Sequence, residues 1–102
     1  MLIVAGTFIV DPAERDAFIA SRHPGMIRSR AESGCQDYTF SADPIDPTRV
    51  LLFERWDDQA SLDAHLAGLA TAPKPADDST PAPAPKSVSI IIYDIAGERT
   101  MV

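Results

Sequence analysis

Apolar residues along the chain cluster or alternate in four short stretches, and two longer stretches between them have helical spacing. The four short stretches are rich in β-branched and aromatic residues, which predicts strands at 2–10, 35–42, 50–56 and 87–95. One helix is predicted between the first two strands and another between the last two. The predicted order of elements is therefore β-α-β-β-α-β.

The first predicted helix begins at D-P-A-E, residues 11–14, which supplies a capping residue and a proline suited to the first helical position. Pro24-Gly25 predicts a kink or a break near His23, with a second helical piece continuing to about Glu32. Spacing of i, i+3 and i+4 predicts an inward-facing stripe of Asp16, Ile19, His23 and Ile27.

The second predicted helix is capped by Asp57 or Asp58, and its heptad-like spacing predicts a buried stripe of Leu62, Leu66 and Leu69. A proline-rich segment, 71–87, follows this helix, and its composition excludes a helix or an inner strand. We expect an extended or mobile loop there, either a lid over a pocket or a tolerated surface insertion. The isoleucine-rich final strand is predicted to be buried on both faces.

The composition is that of a small globular protein. Its 102 residues form a single domain, 1–102, and a hydrophobic content of 45% is enough for a modest core. A formal net charge of −6 excludes a nucleic-acid partner, because no basic patch is present to neutralise phosphates. The densest basic cluster is predicted to be a solvated helix face, formed by Arg22, Arg28 and Arg30.

The sequence also indicates where in the cell the protein is located and whether it binds a metal. No apolar run is long enough to span a membrane, and the N-terminal stretch predicts a strand rather than a secretory signal. The lone Cys35 excludes an internal disulfide framework and favours a reducing compartment, so we expect a cytoplasmic protein. No second cysteine or clustered histidine accompanies it, so no metal site is predicted.

The predicted element order defines an α+β fold, the ferredoxin-like arrangement. In this fold a four-stranded antiparallel sheet carries its helices on one face. An apolar opposite face needs cover, and at this length a second copy of the chain supplies it most economically. The sequence therefore predicts a homodimer.

Residues 32–65 carry a spaced set of residues that resembles the signature of the antibiotic biosynthesis monooxygenase domain family. The matching positions are Glu32, Gly34, Cys35, Tyr38, Asp46-Pro47, Glu54, Trp56 and His65. The resemblance implies a dimeric α+β barrel similar to quinol monooxygenases. Characterised members include small oxygenases that act on quinols or polycyclic phenols without metal or flavin, and also haem-degrading proteins.

The haem-degrading pattern is tested by three residues. Those relatives use an asparagine on the first strand, a tryptophan on the second helix and a histidine further along that helix as the iron ligand. This chain contains no asparagine, His65 lies where the helical tryptophan would be, and no histidine follows it. The resemblance therefore implies a site that uses no cofactor.

Cofactor-free oxygenation needs an apolar slot for a flat ring, a group that accepts a proton, and exclusion of water. The candidate catalytic residues are His65 and His23, because imidazole transfers protons near neutral pH. The candidate substrate-binding residues are Tyr38, Trp56 and Phe40. The alternative to a functional role for these residues is a structural one, in packing or in hydrogen bonding to the backbone. Glu54 is predicted to be a structural polar residue, paired with an arginine or a backbone donor.

Three functions remain open on these residues. The first is a cofactor-independent monooxygenase for a small aromatic quinol or phenol. The second is a non-catalytic dimeric module that binds a small apolar ligand or has a structural role. The third is a proton-transfer enzyme of the isomerase type on the same scaffold. The first predicts one apolar pocket between helices and sheet, lined near His65, Tyr38, Trp56 and His23.

Overall fold

The structure is a computed structural model that describes residues 1–71 and 83–102. Its elements are β1 (Leu2–Ile9), α1 (Arg15–Arg30), β2 (Cys35–Ala42), β3 (Arg49–Trp56), α2 (Gln59–Thr71) and β4 (Ser87–Asp94). A short 3₁₀ turn, Pro12–Glu14, precedes α1. The predicted order is confirmed. The expectation for the proline-rich loop falls mostly on residues outside the described part of the chain.

The four strands form one antiparallel sheet in the order β2-β3-β1-β4. This is the strand order that the ferredoxin-like α+β fold requires, so the predicted fold class is confirmed. The side chains of β1 alternate strictly, and Leu2, Val4 and Phe8 lie on the buried face. Across the β1–β3 pairing they lie opposite Trp56, Glu54 and Val50. The helices pack on this face, which therefore carries the core.

Helix α1 differs from its prediction in two ways. It continues without a break through Pro24 to Arg30, whereas we expected an interruption near His23. Pro24 and Ala20, whose carbonyl loses its partner, are both exposed, so water can hydrate that carbonyl.

The buried stripe of α1 is also not the predicted one. Its buried residues are Phe18, Met26 and Ser29. Asp16, His23 and Ile27 are exposed, and Ile19 is half-buried. The inward stripe was hard to recognise because Arg22, a charged residue, lies on it between the two apolar positions. Phe18 anchors this stripe with its ring centroid 5.5 Å from that of Phe8.

Helix α2 begins where Asp58 accepts hydrogen bonds of 2.8 Å from the amide and the hydroxyl of Ser61, so the capping prediction is confirmed. Its buried residues are Leu62 and His65. The predicted leucine stripe is wrong beyond its first member, because Leu66 and Leu69 remain about half exposed. Beyond Leu62, His65 is therefore the buried residue of this helix.

Strand β4 is exposed along its whole length, on both faces, although burial was predicted. It pairs with β1 at the edge of the sheet, and the helices lie over the other strands. On the face opposite the helices, Ile91 lies beside Ala5 and Tyr93 beside Ile3. Neither helix, within the two described segments, has the length and apolar character needed to cross a membrane.

Candidate active site

An apolar cavity of about 300 Å³ lies between the buried face of the sheet and the two helices. This is near the lower end of the range for small-molecule sites, roughly 300–1,000 Å³. Its apolar lining includes Val4, Phe8, Phe40, Leu52, Leu66 and Ile90. Four polar side chains also line it: Arg22, Tyr38, Glu54 and His65. A few convergent polar groups in an apolar cavity are typical of a binding site for a small organic molecule.

His65 is held in the cavity wall with only 1% of its surface exposed. Its Nδ1 lies 3.0 Å from Oε2 of Glu32, which follows the end of α1. An ionised carboxylate only accepts hydrogen bonds, so Nδ1 is the donor of this pair. A neutral imidazole then keeps its lone pair on Nε2, where it can accept a proton. Glu32 was part of the sequence signature, but its pairing with a residue 33 positions away has no local sequence signal.

Two aromatic rings hold the imidazole of His65 in place. The ring centroid of Trp56 lies 4.7 Å away and that of Tyr38 lies 5.4 Å away. Tyr38 lines the cavity, whereas Trp56 is completely buried and does not line it. Trp56 therefore supports His65 from behind, and the wall that we predicted it to form is supplied by other residues.

Glu54 is buried beside this group, with 5% of its surface exposed. Its partner is neither an arginine nor a backbone donor, as we expected, but the indole of Trp56, whose Nε1 donates to Oε1 at 2.9 Å. Burial raises the pKa of Glu54, and the hydrogen bond from Trp56 opposes that rise. Glu54 therefore keeps its proton more readily than an exposed glutamate does.

Tyr38 presents its phenol to the cavity. Burial and the nearby carboxylate of Glu54 raise the pKa of Tyr38 to about 12. The hydroxyl is thus a protonated donor across the physiological range. The Ser29 hydroxyl is close enough to lower this pKa slightly, yet its Oγ has no partner in good hydrogen-bond geometry among the described residues.

Arg22 is the polar group that sequence reasoning missed, because it was assigned to a solvated helix face. Its guanidinium carbon instead lies 4.8 Å from the ring centroid of Phe18 and 5.8 Å from that of Phe40. The stacking brings a positive charge into the apolar cavity. Phe18 and Met26, four positions before and after Arg22, are the sequence signal that would have placed Arg22 on the inward stripe.

His23 lies away from this cavity. It is exposed and borders a separate surface depression with Met26, Ile27 and Arg30. The two histidines therefore do not converge, and we do not retain His23 in the site. Phe40 lines both the depression and the main cavity.

Cys35 does not join the site as a nucleophile or a metal ligand. Burial, followed by the charges of Glu32 and Glu54, raises the pKa of its thiol, which disfavours the reactive thiolate. Among the residues that the structure describes, no group of three or more His, Cys, Asp or Glu side chains is arranged to hold a metal ion.

Fold and cavity together define a small ferredoxin-like α+β protein with an apolar cavity beside a buried histidine. The model of the antibiotic biosynthesis monooxygenase family matches residues 1–70, which is more than half of the chain. The chain belongs to this family. It is also 37% identical over 65 residues to an uncharacterized protein of Synechocystis sp., a match that spans 64% of this chain and 44% of that protein's length.

Solved structures show the same fold. A Deinococcus radiodurans protein assigned to the antibiotic biosynthesis monooxygenases aligns with a TM-score of 0.74 at 23% identity, covering 100% of this chain and 99% of that one. The haem-degrading protein MhuD of Mycobacterium tuberculosis, with two haems bound in its active site, aligns with the same TM-score at 10% identity. That alignment covers 98% of this chain and 100% of the MhuD chain. At these identities the likeness concerns the fold alone.

Proposed function

We propose that the protein is a cofactor-independent monooxygenase that acts on a small aromatic quinol or phenol. The observation that carries this proposal is the buried His65 in the wall of an apolar cavity, paired with Glu32 and with the ring of Tyr38 5.4 Å from its own. The cavity provides an apolar slot, the imidazole provides a proton acceptor, and the phenol provides a donor that can orient a substrate oxygen.

The chemistry uses electrons from the substrate itself. An anthrone, for example, loses a proton to Nε2 of His65 and becomes an electron-rich anion, which reduces O₂ far more readily than the neutral compound does. One oxygen atom of O₂ becomes the new carbonyl oxygen of the anthraquinone and the other leaves as water, so the overall reaction balances without another reductant. Tyr38 donates to the substrate oxygen, and Phe40 bounds the ring.

Glu32 acts on this reaction through His65 and not on the substrate. A carboxylate bound to Nδ1 fixes the imidazole tautomer and stabilises the imidazolium that forms when Nε2 accepts a proton. The ring of Trp56 packs on the imidazole and is itself anchored by its hydrogen bond to Glu54. The base is therefore held in place, as oriented proton transfer requires.

Oxygen consumption with a panel of hydroquinones and anthrones tests this function. We expect uptake above the spontaneous oxidation rate, with one O₂ consumed per anthrone oxidised, in protein stripped of metals by a chelator. Ligand binding without uptake in the folded protein would instead identify a non-catalytic binding module. Isomerised product formed under anaerobic conditions would identify a proton-transfer enzyme.

A homodimer is the second part of the proposal. The sheet face opposite the helices carries Ile3, Phe53, Ile91 and Tyr93, and Phe53 is 42% exposed. An apolar sheet face on which neither described helix packs favours self-association through that face. A stable dimer would bury roughly 800 Å² on each partner.

Substitution on the open sheet face tests the dimer by sedimentation velocity. Phe53→Glu should convert a dimer to a monomer, because it would bury a charge in the interface. Ile27→Glu makes the same chemical change at an exposed position on α1, outside that face, and should leave the dimer intact. A wild-type monomer, or a Phe53→Glu protein that remains dimeric, would remove this part of the proposal.

A further inference from the structure

The positive charge of Arg22 has no matching negative partner in the described part of the structure. Its Nε is buried and makes no hydrogen bond there. The arginines that form ion pairs are Arg15 with Asp16, Arg49 with Asp43, and Arg55 with Asp37. A buried donor of a charged group without an acceptor is unfavourable, so this arrangement points to an acceptor that arrives with a ligand.

Aromatic rings pack against the guanidinium. It lies over the ring of Phe18 and near the ring of Phe40, and Arg22 and Phe40 both line the cavity. A planar guanidinium whose plane is set by aromatic rings offers its donors in a predetermined direction, with less entropy lost on binding. Its natural partner is an oxyanion, which such a fork binds strongly in an apolar setting.

We propose that Arg22 is a specificity-determining residue that binds an ionised oxygen, phenolate or carboxylate, on a planar aromatic ligand in the cavity. The ring would lie against the apolar lining, near Phe8 and Leu52, with its anionic oxygen on the guanidinium. This inference deepens the proposed function and shares its cavity, since the reactive form of a phenolic substrate is itself an anion. It does not require that the ligand be oxidised.

Neither of the two carboxyl groups near the cavity serves as the acceptor for the guanidinium of Arg22. Glu54 accepts its hydrogen bond from Trp56, and burial shifts the pKa of Glu54 toward the neutral form. Glu32 contacts the imidazole of His65. Neither forms an ion pair with Arg22. Tyr38 and Arg22 both line the cavity, so its wall offers a phenol donor as well as the guanidinium.

Binding of matched aromatic probes tests the role of Arg22. The probes are naphthoate, which is ionised at neutral pH, a dinitronaphthol, which is an ionised phenol, and neutral naphthol. Calorimetry should show that the wild-type protein binds each anion at least about tenfold more tightly than naphthol. Arg22→Met should abolish this preference while naphthol binding changes by less than about threefold. Arg22→Lys should retain only part of it.

Arg28→Met is the matched control, because Arg28 is an exposed arginine of the same helix. It should bind all three probes as the wild type does. Preference for the dinitronaphthol alone would assign the site to phenolates, and preference for naphthoate alone would assign it to carboxylates. Equal or absent binding of anion and naphthol by the wild type, which needs no variant to fold, would overturn the proposal. So would an Arg22→Met protein that keeps the preference.

Oxygen uptake separates this proposal from the function it extends. Charge preference through Arg22 without oxygen consumption would support the anion site and remove the monooxygenase. Consumption of neutral quinols that is the same in the wild type and in Arg22→Met, with no charge preference in binding, would keep the monooxygenase and remove the role of Arg22.

Discussion

His65→Gln should lower the rate of oxygen consumption at saturating quinol by about 10²–10⁴-fold, the usual contribution of a positioned general base. Glutamine is close to histidine in size and can still hydrogen-bond Glu32, so the packing around the buried side chain is largely kept. It has no basic nitrogen to accept the substrate proton. The loss should therefore appear in kcat, while naphthol binding remains.

Glu32→Gln is the graded control for this result. It leaves the imidazole but removes the carboxylate that fixes its tautomer, so a smaller loss of roughly 10–100-fold is expected. A folded His65→Gln protein with the wild-type rate would show that His65 is only structural.

Gly34→Ala should destabilise the protein by about 2–5 kcal/mol, measured as the free energy of unfolding in urea. Gly34 has φ +83°, a left-handed conformation that costs a residue with a Cβ about 1–2 kcal/mol. A Cβ at this position would also overlap the side chain of Ser61, which contributes the overpacking part, about 1–3 kcal/mol. Ser61 cannot withdraw freely, because its amide and hydroxyl both bind the capping Asp58.

Two further variants divide this cost into its parts. Ser61→Gly combined with Gly34→Ala removes the overlap and leaves the backbone strain, so about half of the lost stability should return after correction for Ser61→Gly alone. Gly68→Ala is the matched control in α2, where a new Cβ meets nothing within 4 Å. It should be neutral or stabilising by up to about 1 kcal/mol. A Gly34→Ala protein as stable as the wild type would refute the close approach.

The fold could be predicted because its signals are local. The strands have alternating patterns, the Asp-Pro turn between β2 and β3 closes a hairpin, and Asp58 marks the start of α2. The inward stripe of α1 was placed one residue too far along, which rotates a helix by about 100°. That error brought His23 inward and Arg22 outward, the reverse of what the structure shows. A charged residue on a buried stripe defeats a pattern built on hydrophobicity.

The candidate site was predicted in part. Tyr38 and Phe40 line the cavity because the alternation along β2 was correct, and His65 lines it although the predicted buried stripe of α2 did not include it. The pairings of His65 with Glu32 and of Glu54 with Trp56 depend on side-chain geometry and, in the first case, on contacts between distant segments. The spacing of the family signature indicates which residues matter together, but it does not indicate which atoms meet.

The part of the cavity wall that β4 forms is less rigid than the rest, because β4 is an exposed edge strand. Within the described residues of one protomer, β4 is hydrogen-bonded along one side only, to β1, and Ile90 and Ile92 from this strand form part of the cavity lining. An edge strand with little burial belongs to the part of a protein that opens most easily without global unfolding. A ligand that binds in the cavity therefore also stabilises β4 against local opening at the edge of the sheet.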